Sequence, residues 1–233
     1  MGDAAGVILV VAFGLILLAL GVLGRLMEAR RRRELQQLAD ELGLTFSPAR
    51  DGRMEQRFAA FGCLRQGSRR YAENVLSGRL NGRAVCGFDY HYETYSRDSK
   101  GRRQTHHHWF SAVVVDSGLP LKPLFIRPEG FLDRVAEFVG WDDIDFELDA
   151  FSRRFYVKAP DRKWAFDVIH QATMEFLMNV PAFHIEFAGP HVMAWRQNRL
   201  NPGEFREAMS VVEGLLERLP EYLLRELKGE QRS

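Results

Sequence analysis

The first long pattern in the chain is a run of apolar positions. Ala4 to Gly24 is 21 residues without a charged side chain, including Val7-Ile8-Leu9-Val10-Val11-Ala12-Phe13 and Leu15-Ile16-Leu17-Leu18. Coiled as a helix it spans about 30 Å, the hydrocarbon thickness of a bilayer, and only a helix lets one segment satisfy its own backbone there. A cleaved leader would need positive residues ahead of a shorter apolar stretch. Met1-Gly2-Asp3 supplies no Lys or Arg, and the arginines come afterwards. The pattern predicts a short extracytoplasmic N-terminus over 1–3 and an uncleaved transmembrane helix over 4–24.

Helical periodicity then continues. Leu35, Leu38, Ala39 and Leu42 fall at i, i+3, i+4 and i+7, which predicts a basic juxtamembrane and amphipathic helix over 25–43, closed by Gly43 with Leu44 behind it. A short strand follows at Leu44 to Phe46, and Pro48, Gly52, Gly62 and Gly67 break up residues 47–70. Alternation takes over in the middle. Tyr71 to Leu80, Asn81-Gly82 and the residues from Arg83 read as a hairpin with a type I′ turn. A long strand, Ala84 to Tyr95, turns at Asp98-Ser99-Lys100-Gly101 and returns as Gln104 to Val115; after Asp116-Ser117-Gly118 another strand is expected at Pro123 to Arg127.

The remaining elements alternate in type. Phe131, Leu132, Val135, Phe138 and Val139 predict a helix ending at Gly140, and Ile144, Phe146 and Leu148 alternate with acidic residues as a half-buried strand. Phe151, Phe155 and Val157 predict another strand, with Arg153 on its apolar face and so in need of Asp143, Asp145 or Glu129 as partner. Asp161 caps a helix carrying Trp164, Val168, Ile169, Ala172, Phe176 and Leu177. Phe183, Ile185 and Phe187 form a strand, and Gly189-Pro190 turns into His191 to Arg196. Asn201, Pro202 and Glu204 make a capping box for a helix with Phe205, Met209, Val212, Leu216 and Leu219 along one side, and Pro220 starts a last piece ending near Leu227. The fold class is α+β: an N-terminal transmembrane helix followed by an antiparallel-sheet domain with packed helices. That domain covers 44–228, divisible into 44–150 and 151–228, with a disordered tail over 229–233. The expected core includes Phe88, Val113, Phe125, Phe155, Val157, Trp164, Phe176, Ile185 and Leu216.

Charge orients the anchor. Arg25, Arg30, Arg31, Arg32 and Arg33 follow the span, whereas Asp3 precedes it. Such a bias keeps the C-terminal side in the cytoplasm. The expectation is a single-pass protein of the inner membrane, N-terminus out, with arginines that set topology and meet lipid headgroups. Beyond residue 33 there are 27 basic and 29 acidic residues. That near-neutral balance excludes nucleic acid as the main ligand. Two cysteines, Cys63 and Cys86, suit a reducing compartment.

Several segments carry a resemblance. Asn74-Val75-Leu76-Ser77-Gly78, Phe88-Asp89-Tyr90-His91-Tyr92, Phe125-Ile126-Arg127-Pro128-Glu129, Asp143-Ile144-Asp145-Phe146 and Phe151-Ser152-Arg153-Arg154-Phe155 stand in an order similar to that of a group of bacterial membrane-anchored proteins with no assigned function. The likeness covers most of residues 35–200. It implies a short N-terminal span and an α+β cytosolic domain, and no catalytic residues.

The sharpest chemical feature is Thr105-His106-His107-His108-Trp109. On a strand, His106 and His108 share a face. If the hairpin turns on Ser99-Lys100, His108 lies opposite His91 and His106 opposite Glu93, giving three imidazoles and a carboxylate, a ligand set for Zn²⁺. The competing reading is an exposed polar hairpin that binds nothing, because no H-E-x-x-H or C-x-x-C spacing supports a metal. The acidic residues Asp143, Asp145, Glu147 and Asp149 lack the spacing of a calcium loop and read as a solvated strand face. No nucleophile elbow, phosphate loop or dinucleotide fingerprint is present, so no organic cofactor is predicted. The leading expectation is a non-enzymatic module, held in the lipid bilayer at the cytoplasmic face, that binds a protein partner or contributes to envelope maintenance. A metal-dependent hydrolase and an anionic-lipid-binding domain are the alternatives.

Overall fold

The computed structural model describes residues 2–129, 141–144 and 146–229. The segments expected as a transmembrane span and a juxtamembrane helix form one continuous helix, α1 (Gly2–Leu42). From Val11 onward it contains a window of mean hydropathy 1.9, none of it buried against the rest of the chain. Leu15, Leu18 and Leu20 stand exposed. By length and composition α1 is apolar enough to cross a membrane. Its last turns behave differently. Leu35, Leu38 and Ala39 are buried in the domain. Gly43 ends the helix at φ +66°; its N–H donates to the Asp40 carbonyl at 3.3 Å and that of Leu44 to the Ala39 carbonyl at 2.8 Å. These are the two bonds of a Schellman cap, which requires the left-handed conformation that glycine adopts without strain.

The domain is built on a seven-stranded sheet. Its strands are β1 (Thr45–Ser47), β2 (Ser68–Leu80), β3 (Arg83–Arg97), β4 (Arg103–Pro128), β5 (Asp142–Asp143), β6 (Phe155–Ala159) and β7 (His184–Arg196). The path runs β1-β2-β3-β4-β6-β5, and β7 also pairs with β4; every pairing is antiparallel. β4 is the spine. β3 lies beside its first half and β6 beside its last residues, while β7 pairs with it from Ser111 to Ile126. One sheet therefore joins the strands before and after residue 150. The Asn81-Gly82 turn has both residues at positive φ, 49° and 82°, the type I′ geometry that suits the twist of paired strands.

Two sites expected to end strands instead bend them. Asp116-Ser117-Gly118 and Gly189-Pro190 face each other in the β4–β7 ladder, where the register shifts between Asp116 and Leu121. Gly118 and Gly189 both take positive φ, so the extra residues bulge out and both strands continue. The separate strand expected at Pro123 to Arg127 is thus the far end of β4.

Each face of the sheet has its own core. On one, α1, α6 (Pro202–Glu217) and α7 (Glu221–Leu227) cover Leu76, Val85, Val113, Val115, Leu124 and Ile126, together with α4 (Arg162–Val168) and α5 (Gln171–Asn179). On the other, α2 (Met54–Arg57) and a 3₁₀ turn (Gly62–Arg65) cover Cys86, Phe88, Tyr90, Phe110 and Val114. The capping box at Asn201 and Glu204 forms, as does the Asp161 cap on Trp164. The helix expected from Asp161 to Leu177 is two helices broken at Ile169-His170, where the His170 ring reaches the Arg218 carbonyl at 2.9 Å.

Phe88, Val113, Phe125, Phe155, Val157, Trp164, Ile185 and Leu216 are buried as expected. Phe176 is only partly buried: it lies on Gly214 of α6, under the Arg218 guanidinium at 4.0 Å. Arg153 corrects another expectation. Asp149–Ser152 is a helical turn, α3, so the strand period starts only at Phe155 and Arg153 is exposed. Its neighbour Arg154 points inward and donates to the carbonyls of Met178 and Val180, where α5 presents its negative end. Of the strand expected around Ile144, Phe146 and Leu148, the described residues pair regularly at Asp142–Asp143; Ile144 and Phe146 are buried as the alternation implied, whereas Leu148 is exposed. The helix expected over 131–140, Asp145 and residues 230–233 lie outside the described residues.

Truncating Phe155 to Ala should cost about 3–5 kcal/mol of stability, the usual loss for a buried aromatic ring. Urea unfolding of the detergent-solubilised chain measures it; a loss below about 1 kcal/mol would remove Phe155 from the core.

Candidate functional site

A group of buried polar residues gathers on one sheet face. Asp89, His91 and Glu93 alternate along β3, and opposite them on β4 stand Ser111, Trp109 and His107. Glu73 faces Asp89 from β2. Glu73, Asn74, Asp89, His91, Glu93 and Ser111 are all buried. Nearer the core this face carries Val85 and Val113, packed beneath the helices. The apolar core thus passes directly into a polar stripe along the same strands.

At the inner end of the stripe, Asp89 is fully buried. Arg31 of α1 grips it with two bonds, Nη2 to Oδ1 at 2.7 Å and Nε to Oδ2 at 3.0 Å. Ser111 donates to Oδ1 at 2.5 Å and accepts the Leu200 N–H at 2.9 Å, while the Asn74 amide donates to Oδ2 at 3.0 Å. Arg199 closes the network, with Nη1 3.0 Å from Glu28 and Nη2 2.8 Å from Glu73 and 3.4 Å from Asp89. Its guanidinium also lies 4.5 Å from the centre of the Trp109 ring. A carboxylate taken out of water needs this density of donors, because an unpaired buried charge costs several kcal/mol.

Two irregularities in β2 shape the stripe. The ladder with β3 slips between Ser68 and Tyr71 and again between Glu73 and Leu76. Arg69 and Asn74 occupy these breaks at φ 50° and 53°, left-handed conformations that side-chain-bearing residues rarely adopt. The second bulge aims Asn74 between Asp89 and Glu28, and the first brings Arg69 to 3.8 Å from Glu93.

At the outer end stands the histidine cluster, in a register one residue from the expected one. Asp98 accepts hydrogen bonds from the N–H groups of Lys100 and Arg102, both at 2.9 Å, so the loop closes at Arg97 and Arg103 and centres on Lys100. The slip changes every partner. His107, not His106, lies opposite Glu93, and Trp109, not His108, lies opposite His91. His91 Nε2 is 3.0 Å from His107 Nδ1, which is 3.7 Å from Glu93 Oε1. His106 and His108 project from the other face, bonded to Ser96 at 2.7 Å and Thr94 at 2.8 Å. The convergence of His91, Glu93, His106 and His108 is therefore replaced by that of His91, Glu93 and His107. Burial lowers the His91 pKa below its ordinary value, with the Arg69 backbone and Glu93 opposing and His107 reinforcing the shift. Neutral His91 can then offer a ring nitrogen as an acceptor.

By sequence, no family model and no curated protein matches the chain. Its fold is similar to that of a mycobacterial transport factor. The crystal structure of the mycobacterial trehalose monomycolate transport factor A, TtfA, superposes with a TM-score of 0.61 at 16% identity, covering 81% of this chain and 96% of that one. At that identity the likeness establishes architecture and no residue's role.

The arginine run does not act as one patch. Arg30 pairs with Glu34 and Arg32 with Glu28 along the helix surface, while Arg31 turns into the domain. Its inward direction is legible in retrospect: Arg31 and Glu28 extend the Leu35 and Leu38 stripe backward at helical spacing. Asp89 also carried a signal, as the one charge in Val85-Cys86-Gly87-Phe88-Asp89-Tyr90. Nothing in the local sequence marks Arg199 as the residue that bridges to it.

Asp89→Ala should destabilise the full chain by about 3–5 kcal/mol, because it leaves the part-buried Arg31 guanidinium without its carboxylate. Arg30→Ala, which removes only an exposed pair, should leave the urea midpoint unchanged. Equal losses at Arg30 and Arg31 would show that the seam does not hold the helix.

Proposed function

We propose that this chain is a membrane-anchored, non-enzymatic interaction module. In this reading it presents a fixed domain surface to a protein partner at the cytoplasmic face of the inner membrane. The observation that carries the reading is the seam between anchor and sheet. Glu28 and Arg31 lie one and two turns beyond the apolar stretch and are bonded to Asn74, Asp89 and Arg199 of the domain. A tethered catalyst acting on soluble substrates needs only a flexible linker. A continuous helix locked by ion pairs fixes how the domain faces the bilayer, which is the requirement of a part that docks against other membrane components. The similar fold of a protein named as a transport factor supports an accessory role beside envelope transport machinery.

Chain direction supports contact with lipid as well. Leu44, at the far end of α1, packs on Gly78, whereas Arg31 meets Asp89 and Glu28 meets Asn74. Toward its N-terminus, α1 therefore runs the same way as β3 does toward Arg97. Asp89 to Arg97 covers about 26 Å of strand, against about 10 Å of helix from Arg31 to Gly24. The hairpin end, with Arg97, Lys100, Arg102 and Arg103 against Asp98, therefore lies on the bilayer side of the domain, where a cation near anionic headgroups gains about 1 kcal/mol.

Three measurements test the reading. A C-terminal reporter should be active only in the cytoplasm, and neutral residues at Arg30 to Arg33 should weaken that bias; activity only in the periplasm would overturn the topology. Cross-linking in intact membranes followed by pulldown should recover a membrane or envelope protein, and recovery of none would count against the partner. In nanodiscs, a fluorophore on Ser99→Cys should be quenched by headgroup-labelled lipid, more strongly with anionic lipid, whereas one on Arg79→Cys should not. Equal quenching at the two positions would refute the lipid contact. Burial of Cys63 and Cys86 keeps the labelling selective.

A further inference from the structure

We propose that His91, Glu93 and His107 form a binding site for a divalent transition-metal ion, open to solvent on the His107 side. The inference is independent of the interaction-module reading, since it concerns one end of the polar stripe and no step of docking.

The donor set comes first. Two imidazole nitrogens and one carboxylate oxygen, on neighbouring strands and one face, lie within 4.8 Å of one another. Around a single tetrahedral ion with bonds of about 2.0–2.2 Å, donor atoms sit about 3.3 Å apart. The 3.0 Å between the His91 and His107 nitrogens and the 3.7 Å from His107 to Glu93 bracket that value. Binding breaks the His91–His107 hydrogen bond, and turning the exposed His107 ring and the Glu93 carboxylate aims the three donors at one point. Imidazole and carboxylate together suit zinc, iron, cobalt or nickel rather than magnesium or calcium.

The supports come second. Tyr71 and Trp109 flank His91, with ring centroids 4.7 and 4.6 Å away, which fixes its plane. The Tyr95 hydroxyl donates to Glu93 Oε2 at 2.9 Å, leaving Oε1 to face His107. Such outer partners orient ligands at metal sites. Gly67, at φ +62°, packs so closely that a Cβ would lie 2.3 Å from the Glu93 carbonyl, so the loop before β2 holds the Glu93 backbone in place. Access is third. His91 and Glu93 are buried, but the His107 side chain is 59% exposed. An ion can enter past it, and its remaining coordination positions face water.

The test uses the untagged full chain in detergent, stripped with chelator and titrated with ZnCl₂ and CoCl₂ by calorimetry and absorption. One equivalent should bind saturably, and Co²⁺ should give the absorption of a protein-bound, low-symmetry ion. His107→Ala, an exposed change that leaves the core intact, should weaken binding by more than tenfold with an unchanged melting curve. Tyr95→Phe should weaken it by about tenfold through the freed carboxylate. The double variant His106→Ala/His108→Ala should bind as the parent does. Absence of saturable binding overturns the proposal. So does binding that survives His107→Ala, or that is lost in the His106/His108 variant.

Discussion

The Asp89 carboxylate is the constraint on which the rest of the architecture turns. It sits at zero exposure in the middle of a sheet, where an isolated charge is untenable. Neutralising it takes donors from four parts of the chain: Arg31 on the anchor helix, Asn74 on β2, Ser111 on β4 and Arg199 between β7 and α6. Each donor fixes the element that carries it. The anchor cannot swing, the β2 bulge cannot slide out, and the segment entering α6 is held against the sheet through the Leu200 N–H. A hydrophobic core alone would tolerate small slips of α1 over the sheet. A bidentate arginine on a buried carboxylate does not, because its bonds are directional and any shift leaves a charge unpaired.

That arrangement gives the polar stripe its division of labour. Its inner end is saturated with ion pairs and closed over by α1, so it serves geometry. Its outer end is freer: His91 and Glu93 are buried under aromatic rings while His107 stays at the surface. The bulges at Arg69 and Asn74 sit at these two ends. Strained backbone persists only where surrounding contacts over-determine it, and here those contacts are the ones that aim side chains into the stripe.

Much of the framework was legible in the chain. The 21 apolar residues, the Gly43 stop, the Asn81-Gly82 turn, the Asp161 cap and the Asn201 capping box are local signals, and each appears where the pattern placed it. The errors share a cause. Gly118 and Gly189 read as strand ends because glycine marks both turns and bulges, and only the partner strand shows which. A strand period that begins at Phe151 puts Arg153 on the apolar face, whereas a single helical turn at Asp149–Ser152 turns Arg154 inward instead.

The sequence by itself determined the long apolar N-terminal helix, the arginines that follow its apolar stretch, the element types and most of the core, because these depend on periodicity and on capping between near neighbours. Tertiary structure decided the site. Whether His107 or its neighbours join His91 depends on how Asp98 closes a five-residue loop, since one residue of slip sends a side chain through to the other face. Whether Arg31 meets lipid or protein depends on a carboxylate 58 residues away, which itself needs Arg199 for balance. Such pairings follow from burial, which makes an unpaired charge too costly to keep. Burial is a property of the packed chain, not of any segment of it.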